Sequence, residues 1–192
     1  MLFRSISQPA RLADFQKASL GYIALFPASP EKGKFQEGWI ASEPDAQKKI
    51  DQLARWIALE PQSMKLREFR AGFAQKAGMS AIVASEMAAL AAIPAAGAKS
   101  REYRYGQARA LYEAKDFASA LPLFVSLSQV ESGSQPDSWA VQAQNLALDI
   151  LNQGRNWDGI VARASTWLDA EWTKSASAAM KKELGERSEE HT

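Results

Sequence analysis

The chain has 192 residues, of which 46% are apolar and 23% are charged, so it is long enough for one domain or a short run of repeats and is not composed like a disordered protein. Its 23 basic and 22 acidic side chains exclude a strongly basic nucleic-acid surface. The absence of cysteine and the single histidine exclude disulfides and thiolate zinc sites and leave no histidine cluster, so we expect no cofactor and no metal.

Alanine is the outlier of the composition, with 35 copies or 18% of the chain. Such a content favours closely packed helices over a sheet. No segment alternates apolar and polar residues over a useful length, so we predict an all-α protein.

The N-terminal part, residues 1–44, is predicted to contain one helix from Arg11 to Phe26 followed by a loop. Residues 27–44 hold three prolines and two glycines, which are turn-forming residues. We expect at most one helical turn in that stretch.

Further along, apolar residues recur every three or four positions in segments that prolines and glycines separate, a pattern typical of amphipathic helices. The predicted breaks include Gly78 and Pro94. Asp116 is expected to cap the next helix through its carboxylate, and Pro122 within that helix is tolerable if the helix begins near residue 118 or 119.

Residues 132–136 form the clearest linker, because they contain two serines, a glycine and a proline. Asp137 or Ser138 can then cap a helix that ends at Gly154. A partner helix is predicted over residues 157–167, and one further helix over residues 171–184.

The predicted turns between paired helices recur at Met79, Phe117 and Trp157, with spacings of 38 and 40 residues. A large apolar residue stands six positions before each turn, and an alanine or isoleucine stands three positions after it. Because residues of similar size recur at the same distances from each turn, the pattern indicates stacked helix hairpins. A non-repeating helical bundle with hairpins of similar length is the alternative.

The stretch from Ala108 to Phe124 resembles the tetratricopeptide repeat family, with Ala108 and Ala120 at its small positions and Phe117 and Phe124 at its aromatic positions. The resemblance covers roughly residues 45–170, with one good repeat and degraded ones on either side. It implies an α-solenoid of stacked antiparallel helix hairpins over residues 45–186.

The resemblance also implies a concave surface that binds proteins or peptides. Carrying the family's groove positions over one by one gives the predicted protein-binding residues Arg67, Tyr105, Arg109, Tyr112, Asn145, Asp149 and Asn152. For Tyr105 and Tyr112 the alternative is burial between helices. The lysine and asparagine clamp that grips a chaperone's C-terminus in this family is not reproduced.

Catalysis is not predicted, because the sequence has no glycine-rich phosphate loop, no Gly-x-Ser-x-Gly elbow and no His-Glu-x-x-His motif. Glu86 stands among apolar residues and is the strongest single acid, and we interpret it as a solvated or arginine-paired residue at a helix edge. The longest uninterrupted apolar stretch has 12 residues, which is too short to span a bilayer.

We therefore predict a non-catalytic, bacterial-type scaffold that binds a peptide or helical partner and no nucleic acid. The alternatives are a helical accessory domain of a larger cell-envelope enzyme and a self-assembling array. The residues leave the compartment open between bacterial cytoplasm and periplasm.

The last six residues, 187–192, read Arg-Ser-Glu-Glu-His-Thr, which is the translation of a common sequencing adapter. We expect this tail to be non-native and the natural protein to continue beyond residue 186.

Overall fold

The computed structural model describes residues 9–129 and 136–169, which form helices and turns without any strand. The fold class predicted from composition is therefore confirmed as all-α. The α-helices of this part are α1 (Pro9–Leu25), α2 (Lys32–Ser42), α3 (Ala46–Leu59), α4 (Met64–Lys76), α5 (Ser80–Ala92), α6 (Lys99–Glu113), α7 (Phe117–Leu127), α8 (Ser138–Gln153) and α9 (Trp157–Asp169), with a short 3-10 helix at Pro94–Ala96.

The chain divides into two compact units, with the boundary between Gly78 and Met79. Unit 1 holds α1 to α4, and unit 2 holds α5 to α9. This boundary coincides with the first predicted turn between paired helices, at Met79. The helices on either side of that turn, α4 and α5, therefore belong to different units. The predicted helix at 171–184 and the tail at 187–192 lie outside the described residues.

Unit 1 consists of consecutive helix pairs, α1 with α2 and α3 with α4. Its core joins apolar side chains from all four helices. Trp39 of α2 meets Trp56 of α3 edge to face, with ring centroids 5.7 Å apart, a geometry that the electrostatics of two aromatic rings favour. The buried core residues are Ile23, Trp39, Ile40, Leu53, Trp56, Ile57 and Leu66.

The loop predicted over residues 27–44 is wrong between Lys32 and Ser42, where the chain forms α2. Gly33 and Gly38 lower the intrinsic helix propensity of this segment. The helix forms because packing outweighs propensity, since Gln36, Trp39 and Ile40 are buried on one side of it.

Unit 2 is a succession in which each helix packs against the next along the chain. Arg101 at the start of α6 donates a hydrogen bond to the backbone oxygen of Leu127 at the end of α7 (2.9 Å), so these two helices run antiparallel. Buried alanines lie at the contacts between the helices of this unit, where their small side chains let the helices approach closely. The alanines with no exposed surface are Ala108, Ala120, Ala140, Ala143 and Ala147, and Phe124 fills the space among them.

A polar cluster joins α7, α8 and α9. Arg163 of α9 donates to Oε1 of Gln144 on α8 (2.6 and 3.1 Å) and to Oγ of Ser128 at the end of α7 (2.6 Å). Gln144 and Ser128 are 3% and 1% exposed, so these bonds satisfy polar atoms that water does not reach. Burial lowers the pKa of the Arg163 guanidinium from its usual value.

The predicted cap at Asp116 is confirmed, and of the two candidates Asp137 and Ser138 the structure uses Asp137. The Asp116 carboxylate accepts from the backbone N–H of Ser119 (3.2 Å), and the Asp137 carboxylate accepts from that of Ala140 (2.7 Å). The helix α7 begins at Phe117, one residue before the earliest start that was expected to accommodate Pro122. The proline ring thus removes one internal hydrogen bond from an 11-residue helix.

Replacing Ala120 with tryptophan should destabilise unit 2 by about 1 to 3 kcal/mol or more, because a bulky ring cannot fit where the parent side chain has no exposed surface. Thermal melting followed by circular dichroism measures this loss. Ala118→Trp is the matched control, since Ala118 lies on the exposed side of the same helix. Equal melting temperatures for the two variants would contradict the packing described here.

Candidate functional site

Helices α6 and α8 lie side by side in unit 2 and run in the same direction. The phenol of Tyr105 donates to Oε1 of Gln142 at 2.9 Å, and the phenol of Tyr112 donates to Oδ2 of Asp149. Both pairs are separated by 37 residues. Because both contacts join residues 37 positions apart, α6 and α8 are parallel and in a fixed register. The helix α7 connects them and runs in the opposite direction.

Tyr105 is 5% exposed and is therefore buried between helices. Its ring lies 4.8 Å from Trp139 and 6.1 Å from Phe124, measured between centroids. Burial raises the pKa of the Tyr105 phenol, and the nearby charge of Arg109 partly opposes that shift. Of the two alternatives for Tyr105, the structure therefore has burial between helices.

Tyr112 is half-buried and belongs to a three-residue polar cluster. Its phenol bonds to Asp149, and Nε2 of Gln153 donates to the Tyr112 oxygen (3.1 Å) and to Asp149 Oδ2 (2.7 Å). The hydrogen bond to the Asp149 carboxylate is the main reason that the pKa of Tyr112 is raised, with smaller contributions from burial and from the negative charge itself. This cluster fixes the position of α6 against α8.

Arg109, Asn145 and Asn152 are exposed. Arg109 lies between the two tyrosines on one side of α6, since residues 105, 109 and 112 follow the four- and three-residue spacing of a single helix face. It forms an ion pair with Glu113 one turn away, at 3.1 Å. Residues 145, 149 and 152 follow the same spacing on α8. The exposed side chains among the predicted residues of these two helices are thus one guanidinium and two carboxamides.

Arg67 belongs to unit 1, on α4. It is half-buried, and its Nε donates to the backbone oxygen of Pro61 at 3.0 Å. Of the seven residues predicted from the sequence, the structure therefore brings six together on α6 and α8. We define the α6–α8 face as Tyr105, Arg109, Tyr112, Asn145, Asp149 and Asn152, together with Gln142 and Gln153.

Sequence reasoning missed Gln142 and Gln153, which bond directly to the predicted residues. Gln142 lies three residues before Asn145 and seven before Asp149, so the helical period could have added it to the same side of α8. Gln153 follows Asn152 directly, and the sequence carries no signal for its bond to Tyr112.

The interpretation of Glu86 as a solvated or arginine-paired edge residue is wrong as to solvation, because Glu86 is 2% exposed. It lies on α5, where it is buried together with Val83, Ala84 and Leu90. Within the described residues, no three acidic or histidine side chains are grouped so that they could hold a metal ion.

Among the helices in the described part of the chain, none combines the length and the apolar character needed to cross a membrane. Comparisons with protein-family models, with curated proteins and with solved structures find no significant match to this chain. The site is therefore interpreted from its own geometry.

Removing the hydroxyl of Tyr112 should weaken the junction between α6 and α8. We expect Tyr112→Phe to lower the free energy of unfolding at pH 8 by about 1 to 2 kcal/mol, because the hydroxyl loses both its hydrogen bond to the Asp149 carboxylate and the one it accepts from Gln153. Urea unfolding followed by circular dichroism measures the change.

The same variant should respond less to alkaline pH. The pKa of Tyr112 is higher in the folded protein than in the unfolded chain, so its contribution to stability is complete below about pH 10 and declines above that value. The parent should therefore lose more stability than Tyr112→Phe between pH 8 and pH 11. Asp149→Asn should reduce this dependence too, since it removes the charged acceptor. Parallel pH curves for all three proteins would contradict the assigned hydrogen bond.

Proposed function

We propose that this protein is a non-catalytic scaffold that binds a peptide or a helical partner on the α6–α8 face. The observation that carries the proposal is the parallel alignment of α6 and α8 by two hydrogen bonds of equal offset. Alternate helices that run in one direction, joined by an antiparallel return, are the arrangement that stacked hairpins require.

The repeat length supports a tetratricopeptide-like organisation of unit 2. The offset between α6 and α8 is 37 residues, close to the 34-residue unit of that family. The small positions expected from the resemblance, Ala108 and Ala120, have no exposed surface, and Phe124 at the expected aromatic position is also fully buried. We infer that α6 and α8 are the first helices of successive hairpins in a solenoid.

The chemistry of the face supports binding by hydrogen bonds more than by apolar burial. Tyr105, Tyr112 and Asp149 are occupied with contacts between the two helices, which holds the surface in one shape before any guest arrives. Arg109, Asn145 and Asn152 remain exposed. A guanidinium beside exposed carboxamides offers several donors and acceptors to a polypeptide, and a preorganised surface loses little conformational entropy when it binds.

Arg109→Glu should weaken capture of the partner while leaving the fold intact. Its ion pair with Glu113 is exposed on both sides, so the loss of that pair and the new repulsion between residues 109 and 113 should together change stability by less than about 1 kcal/mol. The experiment is affinity capture from a lysate of the source cells with the full chain as bait, quantified by mass spectrometry.

Arg155→Glu is the matched control, because it makes the same charge change at an exposed position outside the face. A defined set of proteins should be retained by the parent and by Arg155→Glu and be depleted with Arg109→Glu. Equal capture by all three baits would remove Arg109 from the binding surface, and loss of capture with both variants would show a general effect of charge.

A further inference from the structure

A groove lies on unit 2 between α5 and α7. It is an open groove of about 260 Å³. Alanines of α5, including Ala88 and Ala92, line one wall, and Leu123 and Leu127 of α7 line the other. Its volume is below the range of about 300–1,000 Å³ that small-molecule pockets span, and is suited to one large side chain.

This groove is separate from the α6–α8 face. The helix α6 contributes Arg104 and Gln107 to the groove, whereas Tyr105, Arg109 and Tyr112 belong to the face. At 100° per residue the two sets point to different sides of α6. The groove therefore leaves the α6–α8 face free, and the inference below does not rest on the proposed function.

Among the described residues, the Arg104 guanidinium at the groove has no carboxylate partner. The neighbouring arginines of α6 each have a carboxylate partner, Arg101 with Asp137 at 3.2 Å and Arg109 with Glu113 at 3.1 Å. Arg104 is exposed and makes no ion pair with any residue of 9–129 or 136–169. A guanidinium at the edge of a groove with alanine and leucine walls matches a carboxylate in both charge and geometry.

We propose that the α5–α7 groove binds an amphipathic helix of a partner protein, which inserts a large apolar side chain between the α5 alanines and the α7 leucines and places an aspartate or glutamate against Arg104. Side chains four residues apart on a helix are neighbours, so one turn of the partner supplies both groups. The small α5 alanines allow the backbone of the partner to approach closely, and charge complementarity at Arg104 sets the acidic requirement.

The test uses a yeast-displayed library of helical peptides in which one position carries large apolar residues and the position four residues later is fully randomised. The full chain is the target, and clones that also bind Ala92→Trp are rejected, because that ring fills the groove. Ser126→Trp is a second filling variant from the opposite wall. Circular dichroism melting of each variant confirms that it is folded.

Selected clones should carry aspartate or glutamate at the randomised position, and Arg104→Glu should weaken a synthetic peptide from such a clone about tenfold or more. Lys99→Glu is the matched control on the same helix, at an exposed position outside the groove, and should change the affinity less than about twofold. The proposal is overturned if no clone distinguishes the parent from the filled variants, if basic or neutral residues are enriched, or if both charge variants weaken binding equally.

Discussion

The close contact of alanines among α6, α7 and α8 is the constraint on which the rest of unit 2 depends. Ala108, Ala120 and Ala143 have no exposed surface, and Phe124 is packed among them. Small side chains let helix backbones approach, and only at a short separation can phenols on α6 reach polar groups on α8. The tyrosine contacts that order the α6–α8 face are thus a consequence of where the chain places its smallest side chains.

Polar contacts then select one register among the many that alanine packing alone would tolerate. An alanine surface is nearly featureless, so sliding one helix along another costs little packing energy. A slide of one turn between α6 and α8 would break the bonds from Tyr105 to Gln142 and from Tyr112 to Asp149 together. Arg163 performs the equivalent role for α9, because its bonds reach both α8 and the end of α7. A buried polar group left unpaired by a shift costs more than the bond contributes when made.

The two surfaces of unit 2 differ in chemistry because different side chains lie between the helices that form them. The α6–α8 face is formed where long polar side chains bridge two helices, and it offers carboxamides and a guanidinium. The α5–α7 groove is formed where alanines leave space between helices. Its described lining combines alanine and leucine walls with the polar side chains of Arg104, Gln107 and Ser126. One helix, α6, contributes residues to both surfaces, on two different sides. Unit 1 has its own core around Trp39 and Trp56.

The sequence by itself determined the helical class, the cap at Asp116 and the turn at Gly78, because each of these follows from local spacing and residue type. Tertiary structure decided the rest. It made a helix of Lys32–Ser42 in spite of its glycines, since burial of Trp39 outweighs propensity. It placed Tyr105 in the core, buried Glu86 and added Gln153 to the Tyr112 cluster, because those outcomes depend on which helix lies opposite, and helix periodicity carries no information about the neighbour.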